Sequence, residues 1–336
     1  MKKIRIKDVA KQAGVSNATV SRALNQKHLV NPETYSKILD AMHSLGYKPI
    51  EIEQRFTAET MSRLVIIDIP TFENPFYRHA ILAAETIASK YNYVLLVNSS
   101  GFNSLLSFCR EAKIGGIVTL SGYSAAQLNQ LSDLCQVVQC CEFCDGYPLP
   151  YVSIDDYKAT KEALNYLLSL GKKKFSFINL SNDYKFAIER KKAFNDFLME
   201  NGLERYENFI IELPNFDYHL SISAIENLLS KEDRPDAIFS VSDVFATAAI
   251  KIATNLNISI PEELAIIGFD NLPLGQVISP SLTTIKQPLF TMASMACEFL
   301  FEKIRKPDIP NKQYLLETKL VIRESTERGQ VDFQPK

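Results

Sequence analysis

Asn17, Ser21, Arg22 and Asn25, with Ala18 among them, form the densest stretch of candidate chemistry in this chain. On a helix these positions share one face. Asparagine and arginine can each present a planar fork to a base edge, and serine can donate to a phosphate. Alanine can offer only apolar contact, for instance to a thymine methyl, so Asn17 and Arg22 must supply most of the polar readout. Ser16 and Thr19 add hydroxyls at the start of the same segment. These side chains suit contact with a nucleic acid.

Other chemistry-bearing residues are sparser. Cys135, Cys140, Cys141 and Cys144 cluster, and Cys141 and Cys144 have the C-x-x-C spacing of a zinc or redox site. Residues 137–141, however, read as a buried strand, where reduced cysteine behaves as a small hydrophobe. A strand would point Cys140 and Cys141 to opposite faces. No second C-x-x-C and no nearby histidine completes a site, so no metal is expected. His28, His43, His79 and His219 are scattered. No Walker, GxGxxG, GxSxG or HExxH motif is present, and neither catalysis nor a cofactor is expected.

The polar face at 17–25 needs a scaffold, and the flanking residues supply one. Val9, Ala10 and Ala13 recur at helical spacing, and Gly14 follows where a helix ends on positive φ. Ser16 is a good N-cap for a second helix whose inner face is Val20 and Leu24. Asn31 caps a third, with Pro32 in its first turn. Tyr35, Ile38, Met42 and Leu45, with Leu39 beside them, form a stripe that packs under the first two. By spacing alone the first pair reads equally well as a helix-turn-helix or as an ordinary helical hairpin.

The whole chain sets bounds. Its 336 residues suggest two or three domains, and 46% hydrophobic with 23% charged residues is typical of a soluble globular protein. There is no apolar run long enough to span a membrane. Residues 1–5 are basic but lead into no apolar signal segment, which points to the cytoplasm. Residues 1–49 hold nine Lys/Arg against three acids, while the chain as a whole carries −2. A basic amino-terminal segment on an acidic body fits a nucleic-acid-binding head joined to a body that does not bind it.

After residue 63 the pattern changes. Short unalternating apolar runs at 64–69, 93–97, 115–120 and 137–141 alternate with helical stretches, as in a parallel sheet covered on both faces. The pattern repeats at 152–155, 175–179, 209–212, 237–240 and 264–270. Two α/β lobes in series suggest a clamp with a ligand between them.

The motif I-K-D-V-A-K-x-A-G-V-S-x-A-T-V-S-R-A-L-N at 6–25 resembles the start of the lac repressor (LacI/GalR) family of bacterial regulators, which resolves the helical pair as a helix-turn-helix. The G-Y-x-P ending at 46–49 resembles the family too. So do the signposts at 152–156, 235–239, 266–271, 280–285 and 320–326. The family's effector domain is itself similar to periplasmic sugar-binding proteins. The resemblance covers about residues 4–328. It implies a DNA-binding domain at 1–49 and a hinge at 50–62. A bilobed effector-binding and dimerisation domain follows at 63–328. Lobe 1 spans 63–156 and 290–320, and lobe 2 spans 157–289 and 321–328. Residues 329–336 read as a disordered tail without the heptad leucines of a tetramerising coiled coil, so a homodimer is expected.

The hinge of the family forms a short helix on operator DNA and wedges a paired apolar residue, usually leucine, into the minor groove. Phe56 occupies that position here. Glu51 and Glu53 depart from the family's small or neutral residues and place carboxylates near phosphates. On the effector side the resemblance implies pocket residues at strand ends. Asp270 would accept ligand hydroxyls and Arg190 would bridge vicinal hydroxyls or a carboxylate. Phe76 and Tyr77 match the family's N-P-F-F element. Phe143 and Phe216 are further aromatic candidates, Glu142 ends the fifth strand of the first lobe, and Asp243 begins a helix as ligand contact or N-cap. Asp155 is expected to be structural. Two departures stand out: a short stretch from Asn98 to Gly115, and Cys-Cys-Glu-Phe in place of an aspartate-bearing strand end.

The expected function is a repressor-type regulator of a near-palindromic operator, controlled by a small ligand, most readily a sugar. The alternatives are the same regulator responding to a nucleoside, or a non-regulatory sugar-binding protein. No membrane partner is expected, and the protein should sit on the nucleoid when bound to DNA.

Overall fold

The computed structural model describes residues 6–25, 30–45, 63–181 and 184–327. The chain separates into two compact units, 1–61 and 62–336. Phe56, Glu51, Glu53 and the tail lie outside the described residues, as do the side chains of Leu24 and Asn25.

Among its described residues the first unit holds three helices: α1 (Ile6–Ala13), α2 (Asn17–Asn25) and α3 (Pro32–Leu45). Gly14 ends α1 at φ +65°, and the Val15 N–H reaches back to the Ala10 carbonyl at 3.0 Å. That reversal lets α2 start within three residues, and the Ser16 hydroxyl caps it by accepting from the Thr19 N–H at 3.1 Å. Asn31 caps α3 in the same way, accepting from Glu33 N–H at 2.9 Å. Val9, Ala10, Val20, Ala23, Ile38, Ala41 and Met42 are buried together. Leu39 departs from the expected stripe. It is 45% exposed, and Ala41 takes its place in the core.

The second unit contains two six-stranded sheets. Their strands are β1 (Leu64–Asp68), β2 (Val94–Asn98), β3 (Gly116–Thr119), β4 (Gln136–Cys140), β5 (Tyr151–Ile154), β6 (Phe175–Leu180), β7 (Ile210–Leu213), β8 (Ala237–Ser240), β9 (Ala265–Asp270), β10 (Thr283–Lys286), β11 (Gln313–Leu316) and β12 (Lys319–Val321). One sheet runs β11-β5-β4-β3-β1-β2, all parallel. The other runs β12-β10-β9-β8-β6-β7, parallel except for the antiparallel β12. Strands such as β1, β3, β6 and β8 are buried along their whole length, which explains their unalternating apolar sequences.

The helices that cover the sheets are α4 (Tyr77–Lys90), α5 (Phe102–Glu111), α6 (Ala125–Ser132), α7 (Asp156–Ser169), α8 (Lys185–Glu200), α9 (Tyr218–Leu229), α10 (Asp243–Asn255), α11 (Leu274–Val277) and α12 (Leu289–Arg305). The chain passes between sheets three times: from β5 into α7, from β10 into α12, and from β11 to β12. α12 packs on α4 and on β3, β4 and β5, so a late segment completes the first lobe. Asp155 caps α7 by accepting from Lys158 N–H at 2.8 Å.

The cysteine geometry differs from the sequence expectation. β4 stops at Cys140, and Cys141 turns to φ +66°. The turn breaks the strand alternation and brings the two sulfurs to 3.9 Å on one side. All six cysteines are free thiols.

Candidate functional site

On the first unit, α2 is held by Val20 and Ala23, both buried. Asn17, Ala18 and Arg22 are exposed, whereas Thr19 and Ser21 are half-buried. Ser16 spends its hydroxyl on the cap and on the Thr19 hydroxyl, 2.8 Å away. Among the described side chains of this face, Asn17, Ala18 and Arg22 are exposed and take no part in the cap.

On the second unit, the carboxyl ends of both sheets meet around a cleft. The first lobe contributes Asn74, Phe76, Tyr77, Cys141 and Glu142, and the second contributes Phe186, Arg190, Phe216, Ser242 and Asp270, with Gln287 at a crossover. Strand ends are where ligands bind in open α/β sheets, because neighbouring loops diverge there.

Asp270 ends β9 at φ +111°, and Asn271 follows at φ +61°. Two successive non-glycine residues in that region mark a strained turn, which places the carboxyl on the cleft wall. Gln287 Nε2 donates to it at 2.8 Å and the Ser242 hydroxyl at 3.3 Å. Burial, and then the nearby Asp243, push Asp270 well above the usual carboxylate range.

Arg190 is buried on α8. Its Nε and Nη2 donate to Asp156 Oδ1 at 2.8 and 2.7 Å, and Nη1 donates to the Val241 carbonyl at 2.7 Å. Three of its five donors are thus engaged. The guanidinium stacks 3.4 Å from the Phe269 ring centroid, which fixes its plane. Phe216 leans on Phe245 with centroids 4.8 Å apart, and Phe76 packs edge-on to Tyr77 at 5.3 Å.

Glu142 bridges the two lobes. Its carboxylate follows β4, the fourth strand of the first lobe and not the fifth as expected, and accepts from the Lys185 and Phe186 N–H groups, at 2.8 and 3.2 Å, at the start of α8 in the second. Lys185 Nζ also reaches Asp145 at 2.9 Å. Burial pushes Glu142 up to about 7 despite those two donors.

Two of the sequence candidates are placed elsewhere. Phe143 lies outside the cleft wall, stacked on Tyr151 at 4.0 Å with Lys185 Nζ 4.6 Å above it. The turn at Cys141 sends consecutive side chains apart, so Glu142 enters the cleft and Phe143 leaves it. Asp243 is fully buried beneath the wall, accepting from Leu272 N–H and the Thr284 hydroxyl, each at 2.5 Å. Nor does it cap α10; Ser242 does, accepting from Val244 N–H at 3.3 Å.

Sequence reasoning missed Gln287, Ser242, Asp156, Asn74 and Phe186. Asp156 stood in the V-S-I-D-D signpost and Ser242 beside Asp243, so both carried a signal. Gln287 follows β10 and carried none. Among the described residues no His/Cys/Asp/Glu group could hold a metal ion, and no helix is long and apolar enough to cross a membrane.

Residues 5–49 match "Bacterial regulatory proteins, lacI family", and residues 164–326 match "Periplasmic binding protein-like domain". The chain is 31% identical over 337 residues to the HTH-type transcriptional regulator RegA of Clostridium acetobutylicum, covering 95% of this chain and 98% of that one. It is 29% identical over 335 residues to the ribose operon repressor of Halalkalibacterium halodurans, covering 97% and 98%. Among solved structures, a complex of the transcriptional regulator CelR with cellobiose aligns at TM-score 0.70, with 25% identity over 96% of this chain and 100% of that one. The lac repressor dimer bound to operator and an anti-inducer aligns at TM-score 0.71, with 20% identity over 97% and 99%.

Proposed function

Since this chain belongs to the lacI family of bacterial regulatory proteins, we propose that it represses transcription through α2 and is switched by a sugar held between its two lobes. It is a DNA-binding regulator with a ligand-binding domain, not an enzyme. The observation that carries the sugar reading is the cleft itself. Asp270, held by Gln287 and Ser242, faces the space that Arg190 and the rings of Phe76 and Phe216 also line. Carboxyl and guanidinium groups serve vicinal hydroxyls, and aromatic faces serve the apolar face of a sugar ring. The relatives named for ribose and cellobiose support the same ligand class.

In this reading residues 1–49 are the DNA-binding domain, 50–62 the hinge with Phe56 as wedge, and 63–328 the effector and dimerisation domain. Ser16, Asn17, Ala18, Thr19, Ser21, Arg22 and Asn25 line the DNA. The protein acts as a homodimer on a near-palindromic operator, in the cytoplasm and on the nucleoid. The Phe186 and Phe216 rings at the cleft also suit a nucleoside, which pairs vicinal hydroxyls with a stackable base.

The test is a thermal-shift screen of the purified chain against sugars and nucleosides, followed by operator selection from random DNA with and without the hit. A ligand at 100 times its Kd should add roughly 2.7 kcal/mol of stability. Absence of stabilisation by both classes would overturn the cleft assignment. A hit that leaves operator affinity unchanged would overturn the switch.

A further inference from the structure

Three helices begin at the cleft, and a helix start is where an anionic ligand would ordinarily be received. In this chain a side chain already accepts from a backbone N–H at or just before each start. At α4 the Asn74 side-chain oxygen accepts from the Phe76 N–H at 3.0 Å. At α10 the Ser242 hydroxyl accepts from Val244 N–H at 3.3 Å. At α8 the occupant is itself an anion: Glu142 accepts from Lys185 and Phe186 N–H at 2.8 and 3.2 Å.

The charges lining the cleft tell the same way. Glu142, Asp156 and Asp270 are the carboxyl groups, and Arg190 is the one cation among the described lining residues. Arg190 is paired through two nitrogens with Asp156. Lys185, at the start of α8, directs its ammonium to Asp145 and Glu189 and does not line the cleft. A phosphate or carboxylate entering here would meet two further carboxyl groups and no unpaired cation.

We propose that this cleft selects an uncharged polyhydroxyl ligand and rejects the phosphorylated or carboxylated form of the same molecule, with Glu142 as the specificity-determining residue. Glu142 acts twice. It fills the N-terminus of α8 and adds a negative charge where an anionic substituent would lie. Burial pushes this carboxyl up to about 7, so the rejection strengthens as pH rises through neutrality. The inference rests on the reading of the cleft as the effector site.

The experiment is calorimetric titration of the full chain at pH 8 with matched pairs: ribose and ribose 5-phosphate, glucose and glucose 6-phosphate, cytidine and cytidine 5′-monophosphate. In the pair that binds, the uncharged member is expected to bind about 100-fold more tightly than its ester. Equal or tighter binding of the ester overturns the selectivity while leaving the effector reading intact. Binding of neither member of any pair overturns both.

Glu142→Ala should lower the neutral-to-ester ratio at least about tenfold, because it uncovers two N–H groups and removes a charge. Glu142→Gln keeps an acceptor for α8 and so guards against loss of lobe closure. It should lower the ratio by a smaller factor. An unchanged ratio in both variants removes Glu142 from the proposal.

Discussion

Ala18 sits exposed between Asn17 and Arg22 and can neither donate nor accept a hydrogen bond. The polar part of base readout therefore concentrates on two side chains. Arg22→Ala should cost about 1–3 kcal/mol of discrimination between operator and random DNA. Competition binding at fixed salt measures this, and an unchanged ratio would mean α2 does not read bases. A second residue-scale prediction concerns Asp243, which burial pushes up to about 7 although Thr284 and Leu272 donate to it. The folded carboxyl then keeps its proton between about pH 4 and 7, where the unfolded one has released it. Its contribution to stability thus falls as pH rises across that window, and the loss is complete above about 7. Asp243→Asn removes the titration while still accepting from Leu272 and donating to the Thr284 oxygen. Relative to wild type it should gain roughly 4 kcal/mol between pH 4 and pH 8. Urea unfolding at the two pH values tests the sign, and a pH-independent difference would refute it.

At the scale of elements, α2 depends on its first turn. Ser16→Ala removes the acceptor for Thr19 N–H and should cost about 1 kcal/mol of helix stability. Faster amide exchange at residues 17–20, with little change in the second unit, is the expected signature. Gly268 carries a comparable constraint inside β9. A Cβ there would overlap the Asp243 carboxylate and lie 2.9 Å from Leu282 Cδ2. Gly268→Ala should destabilise the second unit by about 1–3 kcal/mol, readable as a lowered Tm. These elements also show what a sequence can disclose. β1, β6 and β9 were legible because strands buried on both faces are predominantly apolar. β11 was not, since three of its four residues are exposed at a sheet edge and read as loop. The cleft was half legible. Asp270 and Glu142 sit at strand ends, which a pattern can find. Phe143 and Cys141 were misplaced because one positive-φ residue reverses the alternation, and no composition signal announces that turn. Gln287 was missed because its role exists only once β10 lies beside β9.

At the scale of the whole molecule, the charge distribution assigns the work. The amino-terminal 49 residues carry six surplus cations, yet the chain as a whole is at −2. Phosphate contacts therefore belong to the head, while the acidic body discourages nonspecific wrapping. The ligand must act on operator binding by favouring one arrangement of the two lobes over another. Three chain crossings and the Glu142 bridge to α8 join those lobes. If both ligands bias a single equilibrium, thermodynamic linkage requires reciprocity. A sugar that weakens operator binding about tenfold must itself bind the operator complex about tenfold more weakly than the free protein, a coupling near 1.4 kcal/mol. Titrating the ligand into free protein and into protein saturated with operator gives the second factor. Operator binding with and without saturating ligand gives the first. Unequal factors would mean that the ligand acts by changing subunit assembly, and the difference should then vary with protein concentration.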